Sequence, residues 1–323
     1  MILNKEKIDD YLNNGVTILR NVISEEWLKK IEIGIEKNFK NPSIYKCVYE
    51  KTNNRELFYD DYCNWKRIKE YKKFIINSNI AKIAKKLMKS NKVNLFHEHV
   101  LIKEIGSKKK TPFHQDQSYY CVNGKDNCSI WIPMNNINKN TCPEFIVGSH
   151  LWNKKFLPTK FFGNAYEKKD NEFEKLPDIE NNRKKYKLKS WKLETGDAIA
   201  FNFATVHGAP ENKSNTTRSA FSIRFTGDDA TYIKRNGEMS PPFPNLKLND
   251  GDINNISSQK TADMVKQFFD KYETVVDANF DSPALRDIAD EEIHRFGARK
   301  LYAPVYYVLS KGGKSSQALA DVT

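Results

Sequence analysis

Thr111-Pro112-Phe113-His114-Gln115-Asp116 is the stretch on which the reading of this chain turns. His114 and Asp116 are two residues apart, so on a strand both side chains leave the same face. The segments around it also look extended. Val93 to Ile102 predicts one or two strands, Ser129 to Met134 another, and Glu144 to Val147 a further one that ends in a Gly148-Ser149-His150 turn. Tyr186 to Leu193 and Ala198 to Val206 flank Glu194-Thr195-Gly196-Asp197, which predicts a hairpin with Gly196 in a left-handed position. Ser219 to Phe225 follows a polar loop.

The amino-terminal part has a different period. Asn4 caps a helix through Leu12 that Asn13-Asn14-Gly15 stops, and a short apolar segment, Val16 to Leu19, follows. Ser24 caps a second helix, with Trp27, Leu28, Ile31, Ile35 and Phe39 at helical spacing. A third spans about 75–88, with Ile80, Ile83, Ala84 and Leu87 on one side. Many short strands after a helical region predict a mainly β fold with flanking helices, a closed or two-sheet barrel with the helices packed outside. Residues 151–185 carry few periodic signals, and so long a loop is usually functional or mobile.

The composition changes near Lys260, after which Asn279 is the only asparagine. Pro241-Pro242-Phe243-Pro244 and Asn249-Asp250-Gly251-Asp252 read as a stiff exit and a linker. From Thr261 the spacing of Met264, Phe268, Tyr272 and Val275 is helical. The expected organisation is therefore a domain at 1–257 and a C-terminal helical appendage at 258–323, frayed from Lys311 onward.

With 39% hydrophobic and 29% charged residues in 323, global disorder is excluded. No apolar run approaches the roughly 18 residues that span a bilayer, and the charged first ten residues lack a signal-peptide core. The five cysteines (Cys47, Cys63, Cys121, Cys128 and Cys142) are irregularly spaced without Cys-x-x-Cys, against a disulfide framework or structural zinc site. These features predict a cytoplasmic protein with no membrane span. The net charge is +12, but the lysines are scattered. The two tight basic runs, Lys108 to Lys110 and Arg183 to Lys185, read as solvated loops, and no nucleic-acid partner is expected. Nothing in the sequence sets an oligomeric state.

Alone, His-x-Asp is most often a surface or hydrogen-bonded pair. Here a second histidine, His207, ends the apolar segment Ala198 to Val206. Two histidines and one carboxylate can fill one face of an octahedron and leave three positions open, the arrangement of non-haem Fe(II) oxygenases. Imidazole and a hard carboxylate oxygen suit Fe(II), and the lack of a thiolate argues against structural zinc. Arg218 follows the polar loop Gly208 to Thr217, and a returning strand would bring it beside His207. A guanidinium there can grip a carboxylate by a two-pronged hydrogen bond. In a strand from Arg218, residues Ala220, Ser222 and Arg224 share its inward face. Arg224 then has two readings, a structural ion pair with an acid or an anion contact for substrate.

Phe113-His114-Gln115-Asp116, Ser129-Ile130-Trp131-Ile132, Val147-Gly148-Ser149-His150, Gly196-Asp197-Ala198, His207-Gly208 and Arg218-Ser219-Ala220 occur in one order. In this the sequence, over roughly Ile8 to Asp252, resembles the phytanoyl-CoA dioxygenase family of Fe(II)/2-oxoglutarate-dependent oxygenases. The resemblance implies a double-stranded β-helix (a jelly roll, or cupin-like barrel). It implies His114, Asp116 and His207 as metal ligands, Arg218 as the ligand of the distal 2-oxoglutarate carboxylate, and Trp131 as a cosubstrate contact. It also implies Fe(II), 2-oxoglutarate and O₂ as cofactor and cosubstrates, a small-molecule substrate, and hydroxylation with release of succinate and CO₂. Halogenating relatives have a small residue in place of the carboxylate ligand, so Asp116 favours hydroxylation. Thr141-Cys142-Pro143-Glu144 departs from a turn that contains Gly in many members. The alternative is a non-catalytic metal-binding or 2-oxoglutarate-sensing barrel. His150 reads as a turn residue, and His97 and His99 as structural or rim residues.

Overall fold

Helix capping begins where the sequence places it. In the computed structural model, which describes residues 3–53, 55–158, 173–235, 239–243 and 248–252, α1 (Lys5–Asn14) starts with Asn4 Oδ1 accepting from the Lys7 amide at 3.1 Å. Ser24 Oγ does the same for Trp27 at the start of α2 (Glu25–Lys40), so each cap satisfies an amide the helix leaves unpaired. α1 stops at Gly15, whose φ of 74° is left-handed; a Cβ there would lie 2.4 Å from His150 Nδ1. The single helix expected near 75–88 is two, α3 (Lys69–Asn77) and α4 (Ile80–Met88). The break falls at Ser78-Asn79, where Ser78 Oγ accepts from the Ile80 amide at 3.3 Å, a side chain competing with the helix for backbone. The expected helical appendage at 258–323 lies outside the described residues, as does part of the loop expected at 151–185.

The strands are β1 (Val16–Leu19), β2 (Cys47–Thr52), β3 (Arg55–Tyr62), β4 (Asn94–Lys103), β5 (Thr111–His114), β6 (Val122–Asn123), β7 (Asn127–Pro133), β8 (Glu144–Ile146), β9 (Leu188–Lys189), β10 (Ala198–Phe201), β11 (His207–Ala209), β12 (Arg218–Thr226) and β13 (Thr231–Tyr232). They form a seven-stranded antiparallel sheet in the order β1-β10-β7-β12-β4-β3-β2, a four-stranded antiparallel sheet β5-β11-β8-β9 and the pair β13-β6. The mainly β reading with flanking helices holds.

Strand β12 shows how the layers are divided. Phe221, Ile223 and Phe225 join the helix-side core with Tyr71, Phe74, Ile80 and Leu87, and the Phe221 ring lies 4.6 Å from that of Tyr71. The alternate residue Ala220 packs instead with Trp131, Phe145, Phe201 and Ile199, between the two sheets, and Ser222 and Arg224 line the interior cavity. The strand period of two thus separates a dry support face from a working face.

Two sequence expectations are corrected. Residues 186–193 and 198–206 do not pair as a hairpin: β9 joins β8 in the smaller sheet, while β10 lies between β1 and β7 in the larger. The turn at Glu194–Asp197 does form, with Asp197 N donating to Glu194 O at 3.0 Å, but it carries the chain from one sheet to the other. His207 does not end β10; it opens its own strand, β11, after a turn in which Thr205 N donates to Asn202 O at 2.9 Å. The sequence reading also missed the hairpin of β2 and β3, which extends the larger sheet beyond β4.

Candidate metal centre and its cavity

Antiparallel pairing of β5 with β11 sets His114 directly opposite His207. Strand β5 ends at His114, so Asp116 is not on it; Asp116 opens the short 3-10 turn Asp116–Ser118. The turn nevertheless swings its carboxylate back to the histidines. Asp116 Oδ1 is 3.6 Å from His114 Nε2 and 3.8 Å from His207 Nε2. One ligand atom from each residue lies within 4.8 Å of the others.

The donor set fits a divalent metal on its own chemistry. His114 Nδ1 is 2.8 Å from Pro112 O, and His207 Nδ1 is 2.9 Å from Thr205 O. A carbonyl only accepts, so each Nδ1 carries the proton and each Nε2 presents a lone pair toward Asp116. Burial, with His114 beside it, lowers the His207 pKa to about 4, which keeps it neutral and ready to ligate. Burial alone would raise the Asp116 pKa, but Arg224, His114 and His207 outweigh it and hold the carboxyl well below the usual range. Its second oxygen, Oδ2, accepts from Ser129 Oγ at 3.2 Å and lies 3.7 Å from Arg224 Nε. The His207 ring is clamped by Phe145, stacked at 5.6 Å, and Phe201, at 4.6 Å.

These three residues form one end of a cavity of about 340 Å³ that Trp131 and Arg224 also line. Arg224 makes an ion pair whose acid is Asp116, and its Nε also donates to Tyr120 Oη at 2.8 Å. Arg218 is buried behind the cavity wall. Its guanidinium donates to Thr141 O and to Pro210 O, the latter at 3.0 Å, and among the described residues it forms no ion pair. Burial lowers its pKa to about 10, still far above neutrality. Of its acceptors, Pro210 directly follows the cavity-lining Ala209 in the chain.

The family model for phytanoyl-CoA dioxygenase matches residues 11–220. The chain belongs to the phytanoyl-CoA dioxygenase family. This family comprises Fe(II)/2-oxoglutarate-dependent oxygenases, and the family expected from the sequence is confirmed. The human peroxisomal phytanoyl-CoA dioxygenase is 24% identical over 265 residues, which are 73% of this chain and 72% of that protein. The non-heme alpha-ketoglutarate-dependent carbocyclase SnoK from nogalamycin biosynthesis superposes with a TM-score of 0.61 at 20% identity, over 78% of this chain and 93% of that one. The epimerase SnoN, solved with Fe3+, alpha-ketoglutarate and nogalamycin RO, gives 0.60 at 16%, over 77% and 94%. At such identities the two structures speak for the fold alone.

His97 and His99, expected as structural or rim residues, both line the cavity, with Asp60, Tyr62, Tyr45 and Tyr49 beside them. The alternation His97-x-His99 was the available signal. His150 is structural, its Nε2 3.0 Å from Leu12 O. The basic runs are tied down locally: Glu50 accepts from the Lys108 and Lys109 amides, each at 3.0 Å, and Arg183 pairs with Glu144 at 2.5 Å. All five cysteines are free thiols. No helix among the described residues is long and apolar enough to cross a membrane.

Proposed function

We propose that this protein is an Fe(II)/2-oxoglutarate-dependent dioxygenase that hydroxylates a small molecule, its strands forming a double-stranded β-helix. The observation that carries the reading is the convergence of His114, Asp116 and His207 in the wall of a cavity, with both imidazoles in the tautomer that ligates a metal. In this reading those residues hold Fe(II), Arg218 anchors the far carboxylate of 2-oxoglutarate, and Trp131 packs against the cosubstrate. When bound, iron and 2-oxoglutarate would supply the oxidising chemistry by which O₂ hydroxylates a C–H bond while succinate and CO₂ leave.

The chain's own residues supply geometry and exclusion. Ser129 and Arg224 hold one oxygen of Asp116, so the other is presented singly. His207 needs no deprotonation before it ligates. Phe145 and Phe201 fix its ring and keep water from that side. Arg224 Nη1, which has no partner among the described residues, is the proposed contact for a substrate group.

The proposed catalytic domain is 1–257, with 258–323 a separate helical appendage, and the proposed location is cytoplasmic, which the free thiols suit. The test is 2-oxoglutarate consumption by the purified protein. Addition of Fe(II) should start slow succinate release without substrate, and a chelator should stop it. A protein that binds iron and 2-oxoglutarate yet releases no succinate with any metabolite of a broad panel would be a sensing barrel instead. A chain ending at Ser257 should keep this slow turnover; a folded, iron-binding truncation without it would refute the proposed domain boundary.

A further inference from the structure

Four buried polar atoms that have no partner among the described residues belong to side chains that line this one cavity: Asp60 Oδ1, His97 Nε2, Ser222 Oγ and Arg224 Nη1. Register explains the grouping. Across β2, β3 and β4, Cys47 pairs with Asp60 and Asp60 with Leu101. Across β3, β4, β12 and β7, Tyr62 pairs with His99, His99 with Ser222, and Ser222 with Trp131. His97 pairs with Arg224. Paired residues share a face of the sheet, so the β2–β3 hairpin extends the working face into a polar wall. A buried polar atom left unpaired is destabilising, and natural folds keep few of them outside sites where something else satisfies them.

The chemistry of the wall is mostly that of an acceptor. Asp60 Oδ2 is taken by His99 Nε2 and by the Tyr49 hydroxyl, each at 2.8 Å, which leaves Oδ1. His97 Nδ1 lies 3.2 Å from Glu98 O, which only accepts, so the proton sits on Nδ1 and Nε2 is the acceptor. Burial, with the Arg224 charge, keeps that imidazole neutral. Aromatic surface stands beside these acceptors: Tyr45 and Tyr62 stack at 5.1 Å and 12°, and Tyr62 meets His99 edge-on at 5.4 Å.

We propose that this wall selects the substrate, and that the substrate is a molecule whose hydroxyl or amine groups donate to Asp60 Oδ1 and His97 Nε2 while its apolar part rests on Tyr45 and Tyr62. The proposal rests on the oxygenase reading of the same cavity and names its substrate class. The cavity, of about 340 Å³ and open to solvent, must hold 2-oxoglutarate as well. A long acyl chain would leave both acceptors dry and unpaired, and a site built to hydrogen-bond a substrate discriminates strongly against an analogue that cannot.

The test is calorimetric titration of the metal-free protein with three kinds of probe: inositol and glycerol as polyols, ethanolamine and putrescine as amines, and phytanoyl-CoA as an acyl thioester. At least one polyol or amine should bind, and the arm that responds separates hydroxyl from amine recognition. Asp60→Asn should weaken that probe at least about 10-fold more than it weakens 2-oxoglutarate. Should Asp60→Asn not fold, Ser222→Ala, which removes one unpartnered oxygen, should weaken the same probe several-fold. Binding of the acyl thioester alone, binding indifferent to these substitutions, or no binding by any hydroxyl or amine probe would overturn the proposal. Failure of the oxygenase reading registers separately, as no succinate release on adding Fe(II) to the wild type.

Discussion

Arg224 Nε stands 3.7 Å from Asp116 Oδ2, whereas both imidazole Nε2 atoms face Oδ1 of the same carboxylate. The two oxygens of Asp116 are thus assigned opposite duties by the strands around them. Arg224→Gln should therefore raise the dissociation constant for Fe(II), or for Co(II) as a spectroscopic stand-in, by about 10-fold or more, the usual cost of losing a partner that orients a ligand. Titration of Co(II) absorption bands reads this without turnover. An unchanged metal affinity with weakened substrate would assign Arg224 to substrate alone.

Removal of a ligand should act more severely. His114→Ala, Asp116→Ala or His207→Ala should abolish turnover while the melting temperature of the metal-free protein stays near that of the wild type, since two donors hold Fe(II) weakly. Stoichiometric iron with full activity in His207→Ala would refute the ligand set. Far-ultraviolet circular dichroism checks that the barrel persists.

Arg218 tests the cosubstrate site. A buried cation that meets only carbonyl oxygens should gain most from a bound anion. Arg218→Ala should cost roughly 2–5 kcal/mol of 2-oxoglutarate binding, about 30-fold or more, with a much smaller effect on iron. An unchanged 2-oxoglutarate titration would show that another group holds the distal carboxylate.

Glu98 provides a test by pH. Burial raises its pKa from 4.5 to about 8. Between those values the folded state holds a proton that the unfolded chain has released. Stability from this group is therefore full below about 4.5, falls as pH rises, and is lost above about 8. Glu98→Gln should flatten the decline in melting temperature between acidic and mildly alkaline pH. An identical decline in both proteins would mean that Glu98 is already ionised in the fold.

The proposed metal ligands, His114, Asp116 and His207, were legible because they are few and chemically distinctive, although the pairing of β5 with β11 brings the two histidines together. The face-sharing of Arg218, Ala220, Ser222 and Arg224 needed only the period of a strand. What was not legible depends on partners far away in sequence. Glu194–Asp197 has sound turn chemistry, yet whether a turn closes a hairpin or crosses between sheets is decided by what β1, β7 and β8 offer to pair with. The β2–β3 hairpin was missed because its strands break the alternation expected of a half-buried strand: Leu57-Phe58-Tyr59 and Asp60-Asp61 set like residues side by side. Likewise nothing near Asp60 in sequence announces His99. Only the register of β3 on β4 brings them together.

The two faces of β12 have a consequence for variation in this protein. Changes at Phe221 or Ile223 would be recorded as loss of protein: a buried Phe cut to Ala typically costs about 3–5 kcal/mol, enough to deplete the folded population of an ordinary domain. Changes at Ser222, one position away, would leave the amount of protein largely intact and alter what it does. A scan of this one strand, scored once for abundance and once for chemistry, should give two interleaved maps, each nearly silent where the other responds.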